Sequence, residues 1–473
     1  MTDTPATPAA AAAESAPGAG AGAVLALVPA VIAVTLPLAL AALVVREFEL
    51  EDRFLYRTLL LVLVGFPLHA LLPRSLRLPA FGVLSLAAVA GTLGTRSAAW
   101  IAGLGAGLLG LCHLPLPFRA RVALVLAAGG GLAALRADLV AAPIPDLVWP
   151  VLGSMFMFRL ALYLYSMRHR DAPFSLWRGA AYFFMLPNAA FPLFPIVDYK
   201  TFVRTYYDAP DPVVYERGVR WIVRGVVHLL LYRLAYHHLM LASYEVATLG
   251  DLVQFFVASY LLYLRVSGQF HLIVGLLHLF GFHLPETHHL YFLASSFSDY
   301  WRRINIYWKD FMMKLVYYPC FFRLRGKGTT FAMVAATLIV FASTWALHSY
   351  QWFWLRGSTL LTAPDTLFWA AFGALVVVSM LREAGRTRAR SRRRHGWDPV
   401  LALKRVGVFL AISALWSLWS SDSLAGWFGL FEVVARVTAR QAVTLAALVA
   451  GGLLVCGFRW GEATLGAATQ PAP

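Results

Sequence analysis

Cysteine is scarce in this chain. Three occur in 473 residues, Cys112, Cys320 and Cys456, far apart from one another. That excludes a disulfide framework and a cysteine-built metal site. Cys320 sits in a basic, aromatic stretch and reads either as an inert small residue or as an acylation site. Charge is scarce too, at 14% of residues, and acids are the rarer sign: 24 Asp and Glu against 40 Lys and Arg. The sequence has no phosphate-binding P-loop, no dinucleotide fingerprint and no serine nucleophile elbow, so ATP-driven transport and serine hydrolysis lack their motifs. The alternation of period two that marks an outer-membrane barrel is also missing.

What is abundant is apolar surface. Hydrophobic residues make up 60% of the chain, and its mean hydropathy is +0.67. A soluble domain is nearer half apolar and a quarter charged. The composition therefore indicates a polytopic membrane protein, and helices are required because each backbone N–H must be satisfied within its own segment. Residues 1–22 are rich in Ala, Pro, Thr and Gly and read as a disordered tail. They lack the basic start of a signal peptide, so the first span, Ala23 to Val45, reads as a retained anchor.

Further apolar runs are Thr58–Leu72, Phe81–Leu93, Ala98–Leu116, Val122–Leu135, Leu147–Leu164 and Gly179–Phe194. Trp221–Leu241, Leu252–Leu264, Gln269–Phe280, Thr330–Leu347, Thr366–Leu381, Val406–Ser421 and Ala442–Phe458 follow. Several are shorter than a perpendicular span, so some are tilted or re-entrant, and roughly 11 to 13 membrane segments are expected. The expected fold is all-α and polytopic. N-terminal transmembrane helices occupy 23–146, a core 147–360 and C-terminal helices 361–463, with a flexible tail at 464–473.

The net charge of +16 would suggest nucleic acid on a soluble protein. Here basic loops against anionic lipid are the simpler account, and no nucleic-acid partner is expected. Seven arginines lie between Arg382 and Arg394. The positive-inside rule makes this loop cytoplasmic. Counting spans back places Trp301 to Lys327 on the same side. That stretch interleaves Arg302, Arg303, Lys309, Lys314, Arg323, Arg325 and Lys327 with aromatic residues, the pattern of amphipathic helices lying in the interface. It serves either as a lipid anchor or as a cytoplasmic mouth for an anionic donor.

Ionisable residues inside apolar runs need a reason. His348 ends an apolar helix and is either an interfacial histidine among aromatic residues or a general base; an imidazole, near about 6.5 in water, can take a proton near neutral pH. His278, His283, His288 and His289 fall within twelve residues, and His237-His238 form a pair. The spacing of His283, His288 and His289 suggests a histidine box, but a second box is missing and no metal is expected. Arg159 either lines a cavity or snorkels to its edge. Pro187, Pro192 and Pro195 break the run Gly179–Phe194 into a re-entrant piece or an interfacial loop.

An ordered set of motifs runs through the middle of the chain. Ser267-Gly268-Gln269-Phe270 and Gly275 precede Phe280-Gly281-Phe282-His283-Leu284-Pro285-Glu286, and then Ser296-Phe297-Ser298-Asp299-Tyr300-Trp301-Arg302-Arg303. Upstream lie Pro195-Ile196-Val197 and Tyr199, within Phe191 to Phe202; downstream, His348 follows the Trp-Arg-Arg motif by about 45 residues. This set resembles the membrane-bound O-acyltransferase (MBOAT) family over Gly153 to Trp354, nearest the bacterial branch of alginate O-acetyltransferases and teichoic-acid D-alanyl transferases. That branch has Trp-His after its paired arginines, where this chain has Ile304-Asn305; other members of the family carry Asn there. The Leu-Gly-Gly-Asn-Arg stretch of the family is replaced by Phe322 to Gly328, and its Trp-His-Gly by Leu347-His348-Ser349.

The resemblance implies transfer of an acyl group, here expected to be acetyl, from a thioester to a hydroxyl, through a central tunnel. It implies His348 as general base and Asn305 as a carbonyl-binding or orienting residue. Arg302, Arg303 and Lys309 are the expected holders of the phosphates of acyl-CoA or of an acyl carrier protein. No tightly bound cofactor is expected. The expected acceptor is a cell-surface glycan, with a lipid or lipid-linked sugar second. A periplasmic or surface acyl-relay protein is a further expected partner, and the bacterial inner membrane is the expected location. The competing classes are a transporter or flippase, which would show internal repeats, and a scaffold with basic loops.

Overall fold

In lipid a backbone amide finds no water, so apolar runs of this length close their own hydrogen bonds as helices. A computed structural model describes residues 21–169, 175–186, 195–359, 361–385 and 396–458. The N-terminal helices are α1 (Ala21–Glu47), α2 (Arg53–Leu71), α3 (Arg74–Leu93), α4 (Thr95–His113) and α5 (Phe118–Arg136). A π-helical stretch, Pro150–Phe156, leads into α6 (Met157–His169), followed by the short α7 (Leu176–Phe183) and α8 (Tyr199–Arg204). The middle holds α9 (Asp211–His238), α10 (Leu249–Leu261), α11 (Leu264–Leu279), α12 (Phe297–Arg303), α13 (Ile306–Met312) and α14 (Tyr318–Leu324). The chain continues with α15 (Thr329–Arg356), α16 (Ala363–Ala384), α17 (Pro399–Trp419), α18 (Leu424–Gly429) and α19 (Ala439–Cys456).

Among the described residues there is no strand, only an isolated bridge between Tyr206 and Phe282. Nine helical segments there are long and apolar enough to cross a membrane. The protein is thus an all-α, polytopic integral membrane protein. Nine is the count among the described residues, beside the roughly 11 to 13 segments expected from run lengths over the whole chain. The runs Leu252–Leu264 and Gln269–Phe280 join into a single 31-residue segment, α10 and α11, bent at Leu262–Tyr263. Arg265 interrupts the apolar pattern but leaves the bundle sideways to Glu51, with Nε and Nη2 at 2.9 and 2.8 Å from its carboxylate. Within the run Gly179–Phe194, α7 extends to Phe183, and residues 187–194, with Pro187 and Pro192, lie outside the described residues. So do the leading tail up to residue 20, the arginines after Arg382 up to residue 395, and the tail beyond residue 458.

Trp301 to Lys327 folds as a chain of short helices rather than a span, as its charge pattern predicts. Elsewhere close packing depends on glycine. Gly218 and Gly225 on α9 face Gly275 and Gly268 on α11, antiparallel and seven residues apart on each helix. A Cβ on Gly225 would lie 2.8 Å from the Gly268 carbonyl oxygen, and one on Gly275 2.8 Å from that of Gly218. A seven-residue step returns to nearly the same helix face, so the four glycines form one seam. Near the start of α9, the buried Arg77 pairs with Asp211 at 2.6 Å and also donates to the carbonyls of Leu72 and Ala70.

Candidate functional site

The site is built around the last third of α15. That helix ends at Gly357, whose left-handed φ of 78° lets its N–H cap the carbonyl of Phe353. Thr344 and His348 lie one turn apart on one face. The Thr344 hydroxyl donates to the Val340 carbonyl at 2.8 Å and receives the indole N–H of Trp308 at 3.3 Å. Trp308 is thereby fixed beside His348, with ring centroids 5.6 Å apart. Trp369 of α16 stacks on the same imidazole at 4.9 Å, and Trp419 of α17 meets it edge-on at 5.8 Å.

Trp419 is in turn tied to Asp365. Thr362 caps α16, accepting the Asp365 N–H at 3.2 Å, and the Asp365 carboxylate is 3% exposed. Its Oδ1 accepts the Trp419 indole N–H at 2.6 Å.

Asn305 enters from the turn between α12 and α13. Its backbone is left-handed, φ 39° and ψ 62°, a region asparagine tolerates better than most residues. Its Oδ1 accepts the Trp308 N–H at 3.3 Å, capping α13. The amide NH2 is not part of that cap. The turn is held on both sides: His289 N–H donates to the Arg303 carbonyl, and Ile306 N–H to that of Thr287.

His348, Asn305, Trp308, Trp369 and Trp419 line one cavity of about 300 Å³. His348 and Asn305 are brought together there, with Gln351 as a further polar lining residue. Six tryptophans (Trp301, Trp308, Trp352, Trp369, Trp416 and Trp419) contribute, together with Tyr263, Tyr300, Phe368 and Ile196. Ile196 arrives from the Pro195–Tyr199 segment, where Asp198 caps α8 and pairs with Lys314 at 2.7 Å. On the far side of α15, the Tyr350 hydroxyl donates to the Gly153 carbonyl in the π-helical stretch at 3.1 Å. Such π segments often accompany functional sites.

The basic residues expected to hold a phosphate lie elsewhere. None of Arg302, Arg303 and Lys309 lines the cavity. Arg303 is buried and its Nε donates to Asp299 at 2.8 Å, closing a turn of α12. This enclosed, neutralised guanidinium has no open face for a phosphate. Arg302 is exposed and reaches Glu383 at 3.4 Å, and Lys309 pairs with Asp310 at 2.8 Å. Glu383 also accepts the hydroxyls of Ser296 and Ser298, so much of the Ser-Phe-Ser-Asp-Tyr-Trp-Arg-Arg motif serves to build and anchor α12.

Arg159 neither lines this cavity nor snorkels. It is fully buried, and its Nη1 donates to the carbonyls of Tyr182 and Phe183 at the end of α7. His283 and His289 are taken up by separate polar contacts. His283 meets Asp208 and Arg217, each at 2.8 Å, and His289 meets Glu286 at 2.7 Å. Among the described residues no group of three or more His, Cys, Asp or Glu is arranged to hold a metal ion.

Asp365, Gln351 and Tyr263 are site residues that motif reading passes over. Asp365 leaves one trace, a lone acid opening the run Thr366–Leu381. Tyr263 leaves none, because a tyrosine beside a helix bend is ordinary in an aromatic-rich chain. The arrangement combines an imidazole, a side-chain amide and an aromatic wall, and no cationic side chain lines it. Neither a protein-family model nor a curated protein matches the sequence.

Proposed function

We propose that the protein is a membrane-embedded O-acyltransferase that moves an acyl group from a thioester to a hydroxyl, with His348 as general base. The observation that carries this reading is the convergence of His348 and Asn305, from separate helices, on one aromatic cavity. His348 takes the proton of the attacking hydroxyl. The oxygen bonds to the thioester carbonyl carbon, the C–S bond breaks, and the proton passes to the departing thiolate. Asn305 has its amide N–H available for the carbonyl oxygen, where negative charge develops. Water-poor walls strengthen such a donor.

A lining without cations suits the uncharged acyl and hydroxyl portions of the two substrates. The phosphates of an acyl-CoA or acyl carrier protein remain outside, where Arg302 is the exposed candidate. Acetyl is the proposed acyl group and a surface glycan the proposed acceptor, on the resemblance to the bacterial branch. The same resemblance supports a bacterial inner-membrane location, and the run of arginines from Arg382 supports a cytoplasmic side for that loop.

The test is release of coenzyme A from radiolabelled acetyl-CoA by the purified chain, wild type against His348→Ala. Release that depends on His348 is expected. Equal turnover by a folded His348→Ala protein overturns the general-base assignment. If longer acyl-CoAs and acyl carrier proteins are also left intact, in the presence of hydroxyl acceptors, transport without covalent chemistry becomes the better reading.

A further inference from the structure

A buried hydrogen-bonded chain begins at a residue that lines the cavity and is not used by the transfer step above. Tyr263 lines the cavity at the bend between α10 and α11. Its hydroxyl lies 2.8 Å from His288 Nε2. His288 Nδ1 lies 3.0 Å from the Thr287 hydroxyl, which lies 3.3 Å from His271 Nδ1. Tyr263, His288, Thr287 and His271 are all at least nine-tenths buried. Buried polar groups are expensive unless hydrogen-bonded, so a chain of them calls for a reason.

The direction of this chain decides what Tyr263 offers a ligand. A neutral imidazole has one donor and one acceptor nitrogen. His288 is neutral, because burial pulls its imidazole down to about 3. A phenol O–H is a stronger acid than a neutral imidazole N–H, so the better-matched arrangement has Tyr263 donating to Nε2. His288 then carries its proton on Nδ1 and donates to Thr287. Tyr263 has spent its only proton, and its remaining capacity is the lone pairs of its oxygen.

We propose that Tyr263 is a ligand-binding residue that accepts a hydrogen bond from a hydroxyl in the cavity, and that His288, Thr287 and His271 are positioning residues that hold it in the acceptor role. Each hydrogen bond in such a chain polarises the next, so a ligand hydroxyl on Tyr263 strengthens the bond from Tyr263 to His288. The proposal shares with the preceding one the cavity as a hydroxyl-binding site. It does not need thioester chemistry.

The experiment is nitrogen-15 NMR of the full-length, histidine-labelled protein in lipid nanodiscs, with the His288 signals assigned by a His288→Gln variant. The expected result is a single neutral tautomer with the proton on Nδ1. Tyr263→Phe should move the Nε2 resonance to that of an unbonded nitrogen, and Thr287→Val should populate the other tautomer. As ligand probes, n-hexanol and methyl pentyl ether have the same number of heavy atoms, but only the alcohol can donate. Hexanol should shift the His288 Nε2 signal in the wild type and not in Tyr263→Phe, while the ether should shift neither. A wild-type proton on Nε2, or an equal response to the ether, overturns the proposal. Failure of the His348-dependent thioester assay would leave these resonances, and this test, unaffected.

Discussion

The imidazole of His348 lies against the indole of Trp369, with ring centroids 4.9 Å apart and planes 23° from parallel. Trp369 and Trp419 both flank the imidazole, and Trp419 is bonded to the buried Asp365. Asp365 therefore orients the walls of the cavity without lining it. Asp365→Ala leaves the Trp419 indole N–H without its acceptor, which costs about 1–3 kcal/mol for a buried group. Asp365→Asn keeps an oxygen at that place and costs less. Thermal unfolding of both variants in detergent checks the order; equal losses would show that the Trp419 bond is not what matters.

Asn305 has two separable duties. Its left-handed backbone and its Oδ1 cap build the α12–α13 turn, while its amide nitrogen is the proposed donor to substrate. Asn305→Asp retains a capping oxygen and lacks the amide donor. It should unfold within about 1 kcal/mol of wild type yet lose roughly 100-fold or more in turnover, the cost typical of a lost oxyanion donor. Asn305→Ala should lose stability as well, since both the cap and the tolerance for positive φ go. Unchanged turnover in Asn305→Asp would leave Asn305 a purely structural residue.

These two residues show how far the sequence is legible. The apolar runs foretell most of the helices because lipid forces each run to satisfy its own backbone. The boundary between Leu252–Leu264 and Gln269–Phe280 misleads, since nothing local shows that Arg265 leaves the bundle for Glu51, distant in the chain. His348 stands out as an imidazole directly after the apolar run Thr330–Leu347. Asn305 stands out only through its place in a motif, and its left-handed cap is a property of the folded turn. Asp365 and Tyr263 draw their significance from partners on other helices. Composition and periodicity carry no record of those contacts.

The glycine seam between α9 and α11 carries a stability prediction. At Gly225 a methyl group would press on the Gly268 carbonyl oxygen at 2.8 Å, a backbone atom that moves only if the helices separate. Gly225→Ala should therefore destabilise by about 1–3 kcal/mol, as overpacking usually does, despite the better helix propensity of alanine. Gly91 on α3 and Gly107 on α4 have open space where a Cβ would sit. Alanine at either should be neutral or stabilising. Fluorescence-detected size exclusion after a heating series separates the cases, and a Gly225→Ala protein as robust as wild type would remove the seam from the account of this fold.

His288 gives the pH dependence a sign. Burial lowers its folded pKa from 6.5 to about 3, so between those values the unfolded chain binds the proton and the folded chain does not. Stability then rises with pH across that window. The penalty is negligible above the ordinary histidine range, grows as pH falls through 6.5, and stops growing near 3. At pH 5 a shift of this size corresponds to about 2 kcal/mol. His288→Gln cannot titrate. It should unfold more easily than wild type at pH 7.5, having lost the Tyr263 and Thr287 bonds, and the gap should narrow as pH approaches 5. Unfolding temperatures of the two proteins across this range decide the matter. A constant gap would mean that His288 takes up its proton without cost, which its place beside Tyr263 and His271 does not allow.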